Sequence, residues 1–340
     1  MRPEEEQAAV LKTRLMRELD RHPFHPAWWL RNPHAQTVWG PLVRKRRRMP
    51  MRRERWDTPD GDFLDLLFVD GKPGAPVVLL LHGLEATPAS FYIHGLGRRF
   101  ARLGWTQATL MFRSCGGEMN RARRLYHLGE TGDAAWVFAR LAERYPGVPF
   151  FAAGVSLGGN VLLKWLGETG ADAPEALLGA AALSPPFDPL SGADALHRAL
   201  GGFYVRHFLR TLIPKALAKA GQYPGALDEE ALRNCPDLRV FDDIATARLH
   251  GFRDAEDYWR RSGSGQHVAG IRRPTLLVCA EDDPFMAAES LPRAAADASP
   301  WLCPQFTAEG GHVGFVAGGS PLTAAYWAEE QTVRFFQTLL

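Results

Sequence analysis

Between Phe63 and Leu183 the chain alternates short apolar runs with longer segments whose apolar residues recur every three or four positions. Val77–Leu81 is an unbroken aliphatic run. It has no polar face, so it predicts a strand buried on both sides. The same reading predicts strands over Phe63–Val69, 107–112, Phe150–Val155 and Leu177–Leu183, with a strand end and turn over 56–62. Helices are predicted between them, over Phe91–Leu103, Gly132–Arg144 and 160–166. In Gly132–Arg144 the apolar stripe is Ala135, Val137, Phe138, Leu141 and Ala142. This βα alternation predicts the α/β class: a mostly parallel central sheet with helices on both faces.

The rhythm then breaks. Residues 190–270 carry helical patterns, over 201–219 and 255–261, but no convincing buried strand. They read as an inserted helical cap. Strand-like Thr275–Ala280 resumes the sheet, followed by a helix over 287–297, a strand near 303–306 and a last helix over 324–339. The expected organisation is a core of 56–189 and 271–340, a cap of 190–270, and an N-terminal arm of 1–55 packing on the core. The arm holds a helical pattern over 4–19, an aromatic stretch from Phe24 to Leu30, and a basic run over 44–53. That run reads as a solvated face or as charges guarding an edge strand. Contact with an anionic membrane surface or RNA is the sharper alternative.

Chemistry enters at Gly154-Val155-Ser156-Leu157-Gly158-Gly159, a G-x-S-x-G elbow set between a predicted strand and a predicted helix. Such a turn exposes a serine hydroxyl, with the next backbone N–H aimed at a substrate oxyanion. Ser156 is therefore the expected nucleophile. His82-Gly83 directly follows the strand Val77–Leu81. The loop after that strand supplies a second donor, so the N–H groups of Leu84 and Leu157 form the expected oxyanion hole. The His82 imidazole itself is expected to be structural. Glu281-Asp282-Asp283-Pro284-Phe285 closes a strand, where an acid orienting a histidine belongs. Asp283 is preferred, with Asp282 as the alternative. Gly310-Gly311-His312-Val313-Gly314 offers a base on a glycine-flanked loop. The order Ser156, Asp283, His312 is the one this architecture requires. Arg113, Glu118 and His127 either bind substrate or, the favoured reading, fix a long loop.

The apolar fraction of 46% permits a large core, and a net charge of +2 gives no sign of a nucleic-acid binder. The four cysteines form no CxxC pair, which predicts neither zinc nor a disulfide framework and fits a reducing cytoplasm. No run approaches the roughly 18 apolar residues of a membrane span.

The sequence resembles the YheT-like branch of the α/β-hydrolases, bacterial esterases related to the eukaryotic ABHD monoacylglycerol lipase group. The resemblance lies in Asn32-Pro33-His34-Ala35-Gln36-Thr37, His82-Gly83-Leu84, the Arg113 to Asp133 segment, Gly154 to Asn160, Leu249-His250-Gly251-Phe252 with Tyr258, Asp282 to Phe285, and Gly310 to Phe315. It implies a metal-free carboxylic-ester hydrolase, without cofactor, whose Ser-Asp-His triad falls on Ser156, Asp283 and His312. The eukaryotic members carry an N-terminal membrane anchor that this sequence lacks, so a cytoplasmic protein without stable anchoring is expected; peripheral membrane contact stays open. The expected substrate is a small-molecule ester with a short to medium acyl chain. Phe203, Tyr204, Phe208, Leu209, Leu212 and Ile213 point to an apolar substrate group, although packing of the cap is the favoured explanation for them. An acyltransferase using the same residues, and a non-catalytic binding protein on this fold, are the alternatives.

Overall fold

A computed structural model describes residues 3–44 and 49–340. Eight strands form one sheet: β1 (Arg52–Asp57), β2 (Phe63–Val69), β3 (Val77–Leu81), β4 (Thr106–Met111), β5 (Phe150–Val155), β6 (Leu177–Leu183), β7 (Thr275–Ala280) and β8 (Leu302–Thr307), in the order β1-β2-β4-β3-β5-β6-β7-β8. Strands β3 to β8 run parallel, and β2 is antiparallel to both its neighbours. The predicted α/β class is the one observed.

Consecutive residues on a strand face opposite ways, and β5 shows what each face meets. Phe150 packs on Phe138 of α4 (Gly132–Arg144), whereas Phe151 stacks on Phe336 of the C-terminal helix, which spans Trp327–Leu339. Helices therefore cover both faces, which is why the central strands read as continuous apolar runs. On the second face the C-terminal helix meets α3 (Phe91–Leu103) and is overlaid by α1 (Pro3–Asp20). On the first, α4 meets α5 (Leu157–Thr169).

Between β6 and β7 the chain forms only helices: α6 (Pro189–Arg198), α7 (Phe203–Gln222), α8 (Glu229–Arg233), α9 (Leu238–Phe241), α10 (Ala247–His250) and α11 (Ala255–Ser262). They build an apolar cluster of their own around Tyr204, Leu209, Phe241 and Leu249.

Two expectations need correction. The helix expected over 287–297 is a short 3-10 turn, Ala288–Ser290, followed by α12 (Arg293–Ala298), because Leu291, the residue before Pro292, takes the extended conformation that a following proline favours. The last helix, α13, starts at Trp327 because Ala325–Tyr326 pairs instead with Val316–Ala317. In α4, Ala135 and Ala142 pack partly buried against the core as expected, and Ala134 is a further buried position. The arm contains a helix the periodicity did not reveal, α2 (Pro33–Val43), although its signals are ordinary ones: Asn32 accepts the N–H groups of His34 and Ala35, and Pro33 opens the first turn.

The basic run divides. Residues 45–48 lie outside the described residues. Arg52 and Arg53 sit on the edge strand β1, paired with Asp70 and Asp65, as the edge-strand reading expects. Arg44 departs from it. It is buried, donates at 2.5 and 3.1 Å to both carboxylate oxygens of Glu329, and lies 3.6 Å from the Tyr326 ring centroid. Arg44 thus fastens the arm to α13.

Candidate active site

Ser156 lies at the junction of β5 and α5 with φ 53° and ψ −121°, a conformation non-glycine residues rarely adopt. Such strain costs about 1–3 kcal/mol and persists only where the surroundings impose it. Here they do. A Cβ on Gly154 would lie 2.4 Å from the carbonyl oxygen of Gly158, and one on Gly158 would lie 2.3 Å from that of Leu81. The turn is so tight, and so close to β3, that neither flank has room for a side chain.

The histidine loop follows β8 and brings His312 over the serine. His312 Nε2 is 2.9 Å from Ser156 Oγ, and His312 Nδ1 is 2.8 Å from Asp283 Oδ2. Asp283 and His312 are both buried, and the second Asp283 oxygen accepts the Phe285 N–H at 2.8 Å. The Phe285 ring stacks on the imidazole, 4.1 Å between centroids. Of the two aspartates, Asp283 therefore meets the histidine. Asp282 instead accepts the Gly311 N–H at 2.8 Å, and burial pushes its carboxyl up.

Leu84 and Leu157 line the same cavity as Ser156. Neither of their N–H groups has a partner among the described residues. For Leu157 this follows from its place at the start of α5, where helix amides have no intrahelical acceptor. His82 is structural, as expected. It is fully buried, its Nε2 accepts the Phe112 N–H at 3.0 Å, and its Nδ1 lies 2.8 Å from the Gly83 carbonyl; burial pushes its pKa down to about 4.

The loop residues separate cleanly. Arg113 is buried and donates to both oxygens of Asp133 at 2.7 and 2.8 Å and to Asp62 at 2.5 Å. Glu118 is exposed and pairs with Arg55, and only His127 reaches the cavity. Cys115 is buried and its thiol is pushed up to about 11, so it stays protonated at neutral pH. All four cysteines are free and buried. Among the described residues no three His, Cys, Asp or Glu side chains gather as a metal site requires.

The cavity measures about 1100 Å³, counting the space open to solvent. Phe208 and Leu212 line it, whereas Leu209 packs among the neighbouring helices, Tyr204 reaches His34 Nδ1 at 3.2 Å and packs on Phe285, and Phe203 is exposed.

Sequence reasoning missed what aligns the histidine loop. Thr37 Oγ1 accepts the His312 N–H at 2.9 Å while donating to the Pro33 carbonyl. Gln36 is fully buried, donates to the Leu30 and Val316 carbonyls, and accepts the Val316 N–H. Ser184, at the end of β6, accepts the Val313 N–H at 3.1 Å. The arm motif thus braces the loop that bears His312. Gly311 shows how closely they meet, because a Cβ there would lie 2.4 Å from the Pro33 carbonyl oxygen. Thr37→Val leaves the buried His312 N–H without an acceptor and is expected to cost about 1–3 kcal/mol. Thr37→Ser should restore most of it, read as urea unfolding midpoints.

A central parallel sheet, a strained serine at the tip of β5, and a histidine and aspartate on loops after later strands define the class: a hydrolase of the esterase or lipase type. The family model for the α/β hydrolase fold matches residues 76–318. The Escherichia coli (strain K12) protein named "Putative esterase YheT" is 36% identical, over 93% of this chain and 94% of its own length. Mouse phospholipase ABHD3 is 28% identical over 89% of this chain and 75% of its own length. Among solved structures, the Pyrococcus furiosus esterase PF2001 aligns with a TM-score of 0.52 at 15% identity, covering 80% of this chain and 87% of that one. The chain belongs to the α/β-hydrolase-fold family, in the YheT-like branch. Among the described residues no helix is long and apolar enough to cross a membrane.

Proposed function

We propose that the protein hydrolyses carboxylic esters of short to medium acyl chain through a Ser156-His312-Asp283 triad and an acyl-enzyme intermediate. The observation that carries this reading is the continuous relay Ser156 Oγ, His312 Nε2, His312 Nδ1, Asp283 Oδ2, opening on an apolar cavity. A carboxylate at Nδ1 fixes the tautomer with its proton there, leaving Nε2 as the base that faces the hydroxyl. His312 takes the Ser156 proton as Oγ attacks the ester carbonyl. The unpaired N–H groups of Leu84 and Leu157 then hold the negative oxygen of the tetrahedral intermediate. His312 returns the proton to the leaving alcohol, and water activated by the same imidazole cleaves the acyl-enzyme.

Within this reading residues 1–55 are a bracing arm, 190–270 a cap over the cavity, and the remainder the catalytic core. The chemistry stays cytoplasmic and needs no cofactor, and the partner is a small ester with an apolar acyl group. Leu125, Leu196, Phe208, Leu212 and Leu249 on the cavity wall support that choice.

A fluorophosphonate probe should label Ser156 alone, located by peptide mapping. A series of p-nitrophenyl alkanoates should give kcat/KM rising and then falling within the short to medium range. Labelling elsewhere, or a preference for charged acyl groups, would contradict this reading.

A further inference from the structure

Away from Ser156, and apart from Asp242 and Thr246, which bond to each other at 2.6 Å, the polar side chains of the cavity wall fall in two places. One is the ion pair of Lys215 with Glu85, which neutralises itself at 2.7 Å. The other gathers His127, His250 and Tyr258, with the His127 ring 4.5 Å from His250 and 5.7 Å from Tyr258 between centroids. His250 and Tyr258 belong to the cap motif Leu249 to Tyr258, to which the triad gives no task.

The hydrogen-bonding capacity of this second group is largely unspent. His127 Nδ1 accepts the Gly129 N–H, so its proton sits on Nε2, whose nearest carboxylate oxygen is 4.0 Å away on Glu130. The Tyr258 hydroxyl accepts the Leu128 N–H at 2.9 Å, and its own proton has no acceptor among the described residues. Neither ring nitrogen of His250 has a partner among them. Removing polar groups from water without replacing their hydrogen bonds is costly, so such a wall suits a ligand that supplies them. Asn160 holds the region in register with the elbow. From α5 it donates to the Leu128 and Ser262 carbonyls and accepts the Ser264 N–H.

We propose that His127, His250 and Tyr258 form a subsite for an uncharged oxygen acceptor of the substrate, a carbonyl or hydroxyl oxygen remote from the scissile ester. This rests on the esterase reading of Ser156. Its donors are the His127 Nε2–H, the Tyr258 hydroxyl and one His250 nitrogen. Anions are excluded for a separate reason. Burial pushes His250 down to about 4 and His127 well below the usual histidine value, so both rings are neutral at neutral pH. The cations nearest His127 are Arg124, Lys164 and Arg261; each is paired with a carboxylate, and none lines the cavity. Asp242, also on the wall, would repel an anion whenever it is ionised.

The test is a matched set of esters of constant chain length. A keto oxygen is walked along the acyl chain in one series and along the alcohol chain in another, and a chain ending in carboxylate is included. In the wild-type protein one keto position should raise kcat/KM about tenfold over the all-alkyl parent, the worth of a hydrogen bond or two. The carboxylate should lower it. Tyr258→Phe and His250→Phe should each bring the keto-to-alkyl ratio towards one, and a ratio taken within each variant cancels any general loss of activity. A flat profile in both series, or a ratio unmoved in both variants, overturns the subsite and leaves the esterase reading standing. Failure to cleave any ester, with no probe on Ser156, overturns both.

Discussion

Ser156→Ala is expected to lower ester turnover by about 10⁵–10⁶-fold, because a triad acts as a unit and its remnants do little alone. What survives is the contribution of the Leu84 and Leu157 amides and of binding, which depend on the backbone and not on the hydroxyl. Fluorophosphonate labelling should vanish with turnover. Stability should change little. The hydroxyl contributes one hydrogen bond to His312, and alanine inherits the same positive φ from the packing of Gly154 and Gly158. Matching circular dichroism and unfolding midpoints, alongside lost turnover, would separate chemistry from folding. Retention of most of the activity would end the Ser156 reading, whatever the distances suggest.

Arg113→Met should be the most damaging substitution for stability, at about 3–5 kcal/mol, the usual effect of removing one partner of a buried charge network. The guanidinium has no exposed surface and ties together three stretches of chain: the β1–β2 turn at Asp60 and Asp62, the start of α4 at Asp133, and its own strand end after β4. Asp62 extends the network, accepting the N–H groups of Arg121 and Ala122 and the Asn120 side chain. From the cap, Lys219 reaches in to donate to the Asn120 and Ala122 carbonyls. Removing the arginine leaves the buried Asp62 without its ion pair, and Asp60 and Asp133 with Arg124 as their remaining counter-charge. Arg113→Lys should recover only part of the loss, since an ammonium cannot reproduce the two-pronged contact with Asp133. Urea unfolding midpoints of the three proteins decide the matter, and near-equal values for Arg113→Met and wild type would show that the network contributes little.

The contrast between these residues explains what was legible in advance. β3 and β5 announced themselves because strands covered on both faces favour apolar residues throughout, so they read as apolar runs. The elbow was legible for a similarly local reason: strand, tight turn and helix follow one another in sequence, and the glycines mark where the chain has no room. Leu84 and Leu157 could be placed beside the cavity because each follows a short motif at the end of a strand.

Other features depend on contacts between distant parts of the chain. Asp282 and Asp283 are adjacent and chemically alike, and only the path of the loop decides which one meets His312 and which one holds Gly311. Arg44 sits in a run of like charges, yet folding brings it to Glu329 almost the whole chain away and buries it. Arg113 offered two readings until Asp62 and Asp133 came together around it. Thr37 gave no local sign that its hydroxyl would accept the His312 N–H across 275 positions. The sequence by itself determined the class of fold, the elbow and the types of residue available for chemistry, because periodicity and turn chemistry are short-range. The tertiary structure alone decided which aspartate, which arginine and which threonine meet which partner, because hydrogen bonds and ion pairs depend on distances that chain order does not encode.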